Sequence, residues 1–511
     1  MNTKKIGNYK KIISFLLGSL LVLALPPYYI FIIPLISVSG LLLLLNQSQT
    51  KKQSFAIGYW FGFGFFAFGF SWIGNALLID ALMFGWLYPI VLIASGAFFG
   101  LFSAFPALCT FYFKGITSKA LAFASFYTLF EWLRSFILTG FPWNQIGSML
   151  AFDIHALQLA SVLGTFGLTL LILIISAFPA IFYKTKNKSA IIAPLVLIAI
   201  VWGFGYYRLN KLPAYEPSET IIRIVQPSIP QTMKWDRESL ESNFNQYIEL
   251  SKSEPLNNVD LVIWGETAVP FQLDMQPEYL EQLASAIPPH GSLATGLVRV
   301  EFDPFGNIMP LNSMFVIDST PKIVDHYDKV HLVPFGEYIP LREYLPNWVR
   351  PVANSISNFK KGEGHKVFKT NNIPSFGALI CYEIIFPAEI VDKNSRPEWI
   401  INLTNDGWYG DSAGPRQHLV ATQLRAVEQG LTIVRAANSG ISAMISTTGS
   451  IIDKIELNET KIKDIPLPKI TSTPTTYSAF GNITILILCL ANILLAYLFG
   501  KKTRNKAYPK Y

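Results

Sequence analysis

Three short stretches of this 511-residue chain set reactive side chains beside glycine or proline. In Leu261-Val-Ile-Trp-Gly-Glu266-Thr-Ala-Val-Pro270 an apolar run stops on glycine and presents a carboxylate. In Tyr327-Asp-Lys329-Val-His-Leu-Val-Pro-Phe-Gly-Glu337-Tyr-Ile-Pro340 a lysine and a second carboxylate share a loop bounded by Pro and Gly. In Phe376-Gly-Ala-Leu-Ile-Cys381-Tyr-Glu383-Ile-Ile-Phe-Pro387 a cysteine ends an apolar run, and a helix is expected to open at Pro387. A thiol at such a turn gains nucleophilicity from exposure and from nearby amides or cations. It should then react near neutral pH faster than an unperturbed thiol of pKa about 8.5. Taken singly, each stretch also fits a plainer description: surface acids at Glu266 and Glu337, a solvated lysine at Lys329, a small buried hydrophobe at Cys381.

The elements that must position these groups are legible from periodicity. Ile221–Val225, Leu261–Trp264, Leu293–Leu297, Met314–Ile317, Phe376–Ile380, Ile400–Leu403 and Ser442–Ile445 are rich in Val, Ile and Phe and read as strands. Glu238–Lys252, Pro277–Ala286 and Gln417–Gln429 read as helices. Alternation of the two predicts a layered α/β domain with functional groups at strand ends.

That domain is flanked by sequence of another kind. The chain is 51% hydrophobic and only 15% charged, against about a quarter charged in globular proteins. The deficit is local. Residues 1–211 carry 14 Lys and Arg but only three acids, Asp80, Glu131 and Asp153. Apolar runs near 12–26, 29–45, 54–79, 87–113, 120–138, 157–183, 190–207 and 479–499 approach the roughly 20 residues a membrane span requires. The first two meet at Leu25-Pro26-Pro27, a turn suited to a tight hairpin, and no small-residue cleavage site marks the first as a signal peptide. The expected organisation is a seven-span domain over 1–211, a soluble domain over 212–476, and a last span with a basic tail over 477–511.

Lysines orient this arrangement. Basic residues fill the N-terminus (Lys4, Lys5, Lys10, Lys11), alternate gaps (Lys51 and Lys52; Lys114 and Lys119; Lys184, Lys186 and Lys188) and the C-terminus. The positive-inside rule then predicts eight spans, both termini cytoplasmic and the soluble domain outside. The flanks account for the overall charge of +7, leaving the middle domain at −9, a sign that excludes a nucleic-acid footprint. Cys109 and Cys489 fall in apolar stretches and Cys381 stands alone in the soluble part, so neither a disulfide framework nor a zinc-type Cys/His spacing is present. Glu131 and Arg134, three apart on one helix face, are spaced to pair. They either position helices or hold a lipid headgroup.

Together the Glu266, Lys329 and Cys381 contexts resemble those of the carbon–nitrogen hydrolase (nitrilase) superfamily. With the membrane flanks, nearly the whole chain resembles the apolipoprotein N-acyltransferase family of bacteria. Further matching stretches are Gln226-Pro-Ser-Ile-Pro-Gln-Thr-Met-Lys-Trp235, Leu311-Asn312-Ser313, Asn402-Leu-Thr-Asn-Asp-Gly-Trp408-Tyr-Gly410, Arg435-Ala-Ala-Asn438-Ser-Gly440 and the membrane stretch from Glu131 to Gln145. The resemblance implies an αββα sandwich and an acyltransferase of the bacterial inner membrane with its catalytic domain in the periplasm. It implies a phospholipid acyl donor, a diacylated apolipoprotein acceptor, and no cofactor or metal. It also implies that Glu266 is the general base, Lys329 the oxyanion cation and Cys381 the nucleophile that carries the acyl chain as a thioester. Glu337, Tyr382 and Glu383 match supporting positions, Asn312 a substrate-side position, and Trp235 the substrate entrance, although by residue type Trp235 also fits a core aromatic. His331 is expected to pack near Lys329 rather than bind metal. The aromatic, Arg and Pro residues of 340–352, with Tyr344 and Trp348, suggest a lid touching lipid. The competing function is a membrane-tethered amidase or nitrilase in which water resolves the thioester.

Overall fold

The computed structural model describes residues 3–213, 215–344, 358–370, 373–392, 394–470 and 474–507. Most of the segment proposed as a lid, Trp348 included, therefore lies outside the described residues. The chain divides into two units. One comprises Met1–Leu212, Ser412–Val420 and Pro474–Tyr511, the other Pro213–Asp411 and Ala421–Thr473.

The first unit is helical. Among its described residues four helices are long and apolar enough to cross a membrane: Ala81–Thr110, Ala160–Thr185, Ser189–Lys211 and Ile483–Lys502. The bent pair Lys51–Gly69 and Ser71–Leu78 makes a fifth if it counts as one span. Of the remaining segments expected to span, Ile33–Asn46 is an apolar helix but too short, while Thr3–Leu21 and Ile116–Leu133 are long enough but not apolar enough. Inside a hydrocarbon layer helices associate through small residues and short polar links. Gly18 shows the first device: a Cβ there would lie 1.9 Å from the Phe61 carbonyl oxygen. Hydroxyls show the second, with Ser14 donating to Ile57 O at 2.6 Å and Ser54 to Ala107 O at 2.6 Å.

Buried Glu131 and Arg134 spend their hydrogen bonds on protein atoms. Glu131 accepts from the Thr169 hydroxyl at 2.6 Å and from Ile146 N–H at 3.0 Å. Arg134 donates to the carbonyls of Phe141 and Trp143 at 2.6 and 2.8 Å. Within this unit Trp143 Nε1 donates to Gln417 Oε1 at 2.8 Å, and Gln417 Nε2 donates to Pro26 O at 3.1 Å. Arg134 thus braces the Gly140–Gln145 turn, and Glu131 links its helix to Thr169 and to Ile146 just past that turn.

The second unit is a pair of six-stranded sheets. In chain order the strands are β1 Pro217–Gln226, β2 Leu261–Ile263, β3 Ser292–Phe302, β4 Ile308–Asp318, β5 Ile323–Asp328, β6 Val367–Phe368, β7 Phe376–Ile380, β8 Trp399–Thr404, β9 Thr432–Ala437, β10 Ser442–Ile445, β11 Ile451–Ile455 and β12 Lys461–Pro468. They form sheets of order β12-β1-β2-β3-β4-β5 and β11-β10-β9-β8-β7-β6. At the centre of each sheet three strands run parallel, β1-β2-β3 and β7-β8-β9. Their inward faces share one core, in which Ile222, Ile224, Leu261, Ile263 and Met314 join Phe376, Ile380, Trp399, Ile401 and Val434. The outward face of the first sheet follows the period of two: Val225, Val262, Trp264 and Phe315 pack on Phe244, Tyr247 and Leu283 of helices Leu240–Ser251 and Pro277–Leu283. Helix Ala413–Gln429 makes the crossover that parallel β8 and β9 require.

One local expectation fails. No helix opens at Pro387. Instead Cys381–Ile385 forms a tight 3₁₀ turn directly after β7, and no helix occurs among the described residues between Phe386 and β8. The cause is Glu383, whose carboxylate accepts from Ile380 N–H at 2.6 Å and folds the chain back at the strand end.

Because the inward face is fully dry, a truncation there should be costly. Ile401→Ala should destabilise the second unit by about 2–5 kcal/mol, read as a lower midpoint in denaturant unfolding of the purified chain.

Candidate active site

The three stretches singled out by their chemistry converge at one end of the paired sheets. Glu266 stands just past β2. Its Oε1 accepts from Asn312 Nδ2 at 2.8 Å and lies 3.7 Å from Lys329 Nζ. Asn312, on β4, donates from the same nitrogen to Glu337 Oε1 at 2.9 Å. Lys329 follows β5, is 1% exposed, and ion-pairs with Glu337 at 2.8 Å. Its main-chain N–H donates to Asn312 O at 2.8 Å. Glu337 in turn accepts from Val333 N–H at 2.7 Å, which fixes the loop carrying both residues. The plain readings of surface acids and a solvated lysine fail, since all three charges are buried.

Cys381 completes the cluster. It sits at φ +51°, a left-handed conformation that costs an L-residue about 1–3 kcal/mol and persists only when its surroundings impose it. Glu383 does the imposing. Besides Ile380 N–H it accepts from the Tyr327 hydroxyl at 2.8 Å, Val330 N–H at 2.7 Å and His331 N–H at 3.0 Å. One carboxylate therefore binds the lysine loop to the cysteine turn. Burial raises its own pKa above the ordinary range, the amides around it pulling the other way.

Electrostatics correct the expectation of a readily ionised thiol. Burial and the adjacent Glu266 carboxylate push Cys381 up to about 12, while Lys329 and a hydrogen bond with Thr404 act against them. The resting thiol is protonated. Lys329 moves the other way. Burial alone would lower it, but Glu337 and Glu266 outweigh desolvation and hold it above the ordinary lysine value. It remains an ammonium across the neutral range.

The supporting positions divide. Tyr382 is buried with its ring 5.0 Å from Phe386, and His331 stacks on Phe386 at 3.7 Å, a packing role. Trp235 is 42% exposed and is not a core aromatic. Its neighbour Lys234 is the buried one, donating to the Glu266 carbonyl oxygen at 2.8 Å. Sequence reasoning passed over Lys234 because the aromatic beside it drew the attention. Asp406 and Arg435, both within matching stretches of the sequence, form a fully buried ion pair that the sequence does not reveal, and its carboxylate belongs to the groups acting on Cys381. The quoted stretches around Gln226, Asn402 and Arg435 interlock here. Arg435 donates to Asn402 Oδ1 at 3.1 Å, Asn438 exchanges hydrogen bonds with Ile229, and Ser442 donates to Gln226 Oε1 at 2.6 Å.

Gly296 of β3 lies beneath the Glu266 turn. A Cβ there would come 2.5 Å from Thr267 N and 2.8 Å from Glu266 Cα, and backbone cannot yield as a side chain does. Gly296→Ala should cost about 1–3 kcal/mol in denaturant unfolding. By shifting Glu266 it should also cut the catalytic rate about 100-fold.

Comparison with known proteins bears on the chemistry. Residues 17–178 match the apolipoprotein N-acyltransferase N-terminal domain, and residues 221–475 match the carbon–nitrogen hydrolase domain. The chain is 37% identical to the apolipoprotein N-acyltransferase of Brucella melitensis, over 90% of each sequence. It is 36% identical to that of Rhodopseudomonas palustris, over 97% of this chain and 96% of the relative. Among solved structures, an amidase from Nesterenkonia sp. aligns with 50% of this chain and 92% of its own at 18% identity and a TM-score of 0.36. The chain belongs to the apolipoprotein N-acyltransferase family and is an acyltransferase whose second unit is a nitrilase-like carbon–nitrogen hydrolase domain.

Proposed function

We propose that this protein moves an acyl chain from a membrane phospholipid to the α-amino group of the S-diacylglyceryl-cysteine that begins an apolipoprotein, by way of a thioester on Cys381. The observation that carries this reading is the buried cluster itself. A carboxylate, a permanently charged ammonium and a thiol held at a strained turn meet in a setting where electrostatic effects are strong.

In the first half-reaction the Cys381 sulfur attacks the ester carbonyl as Glu266 takes its proton. Coupling these two events suits a thiol that is not ionised at rest. The Lys329 ammonium stabilises the tetrahedral oxyanion. The carbon–oxygen bond then breaks, Glu266 returns the proton to the departing alkoxide, and a lysophospholipid leaves the acyl chain on sulfur. In the second half-reaction the acceptor amine attacks the thioester while Glu266 takes an amine proton. The carbon–sulfur bond breaks and the thiol is restored. Glu337 and Asn312 act as positioning residues that hold Lys329 and Glu266 at their separation.

The same reading takes the helical unit and the final helix as eight spans in a bacterial inner membrane, both termini cytoplasmic and the nitrilase-like domain periplasmic. Support comes from the eight helical segments and from the alternation of basic gaps. A reporter fused after Lys188 should then behave as cytoplasmic and one after Pro217 as external; finding both on one side would remove the topology.

The decisive test separates the half-reactions. Purified protein incubated with chain-labelled phospholipid should gain one hydroxylamine-sensitive acyl chain on Cys381, and a diacylated lipopeptide should discharge it as an amide. Lys329→Met should charge about 10²–10³-fold more slowly. Discharge by water with no amide product would instead assign the site to a hydrolase, and near wild-type transfer by Cys381→Ala would end the covalent mechanism.

A further inference from the structure

Lys329 lies against two buried carboxylates, Glu266 and Glu337, while a third, Glu383, is held apart by the Tyr327 hydroxyl and three main-chain amides. With a neutral thiol, Lys329 and the two carboxylates beside it would leave one negative charge without a cation among buried side chains. An unpaired buried charge is among the most costly features a fold can carry. The Asp406–Arg435 pair is already neutral and leaves the imbalance untouched.

The missing charge is present. Lys234 is buried, and its ammonium donates to the main-chain carbonyl of Glu266 at 2.8 Å. It is also within electrostatic reach of both the Glu266 carboxylate and Cys381. The side chains that share its small cavity carry no charge. It shares a small cavity with Ile229, Asn243, Tyr247, Thr267, Ala268, Pro270 and Asn438, and the phenol of Tyr247 is held protonated by burial.

We propose that Lys234 is a second cation of the active site, a positioning residue that anchors the Glu266 turn through its carbonyl and balances the buried carboxylates so that the Cys381 thiol can give up its proton. Lys329 and Lys234 then divide the work. Lys329 stands on the side-chain face of Glu266, where oxyanion charge develops. Lys234 stands behind the main chain and offsets the standing negative charge. The assignment rests on the proposed function only for Cys381 being the nucleophile. It also carries a signature in pH, because burial lowers the Lys234 ammonium to about 8, against the pull of Glu266 and Cys381. The charge is present below that pH and lost above it.

The test reads the thiol directly and needs no lipid. Alkylation of Cys381 by iodoacetamide in the full-length protein is followed by peptide mass spectrometry from pH 6.5 to 9.5. Lys234→Met should slow alkylation at pH 7 by about tenfold, since loss of a nearby positive charge makes a thiol harder to ionise by a unit or more. Lys234→Gln, which can still donate to the Glu266 carbonyl, should be slowed likewise. Lys234→Arg should restore the rate at pH 7. Above pH 9 the wild-type advantage over Lys234→Met should shrink, whereas the Arg variant, which stays charged, should keep its own. Alkylation of Lys234→Met at the wild-type rate at pH 7 would overturn the proposal. So would a gap of equal size at every pH, the mark of a packing defect alone. Charging by phospholipid is measured in parallel. Failure of the wild type to charge, with the alkylation pattern intact, would count against the acyl-transfer reading and leave the assignment of Lys234 standing.

Discussion

The second unit is organised around a single ammonium held between two carboxylates. Lys329 reaches Glu337 at 2.8 Å and Glu266 at 3.7 Å, and Asn312 bridges the same two oxygens from the other side. None of these groups retains appreciable water, so the energy of the arrangement depends on every partner being in place. Removing one partner from such a set leaves a buried charge that nothing solvates. The surrounding fold is accordingly rigid where it meets the cluster. Buried strands end there, and the turns beyond them are pinned by buried side chains, Glu383, Glu337 and Lys234, hydrogen-bonded to main-chain groups.

The helical unit follows different rules. Its apolar surface is compatible with lipid, and its internal links are glycine approaches and serine hydroxyls on carbonyls. Its buried ionisable side chains include Lys119, Glu131 and Arg134, which bond to main-chain groups and, for Glu131, to the Thr169 hydroxyl. The two units therefore solve the burial of polar groups in different currencies: paired charges in the sandwich, and neutral donors closing on carbonyls among the helices.

Much of this was legible in the sequence, for identifiable reasons. The seven strands recognised beforehand are those whose residues are buried on both faces and so read as unbroken Val, Ile and Phe runs. The strands that escaped notice include the edges. In β12, Lys461-Ile-Lys-Asp-Ile-Pro, only Ile465 of these six is buried, and charge and proline mask the pattern. β9 escaped because its second half is Arg435-Ala-Ala, two residues of low strand preference after an arginine buried against Asp406. The helix expected at Pro387 was a fair inference from proline placement, but the Glu383 carboxylate, four residues earlier, closed the turn first. At the site, Glu266, Lys329 and Cys381 were visible because each ends a recognisable strand or opens a loop. Lys234 was not, since no rule of composition tells which of two adjacent residues, a lysine or a tryptophan, turns inward. Here it is the lysine.

Glu383 deserves a last consideration as a timing device rather than a strut. Its two oxygens accept from Tyr327, Val330 and His331 on one loop and from Ile380 on the other. Cys381 and Lys329 thus share one fastening. A fluctuation that frees the cysteine turn must also release the lysine loop, so local opening dismantles both functions together. A half-assembled site, with a mobile thiol beside a fixed cation or the reverse, has no stable place on the landscape. For an enzyme proposed to hold a reactive thioester while it waits for a second substrate, such all-or-none assembly would keep the intermediate either fully guarded or not formed at all.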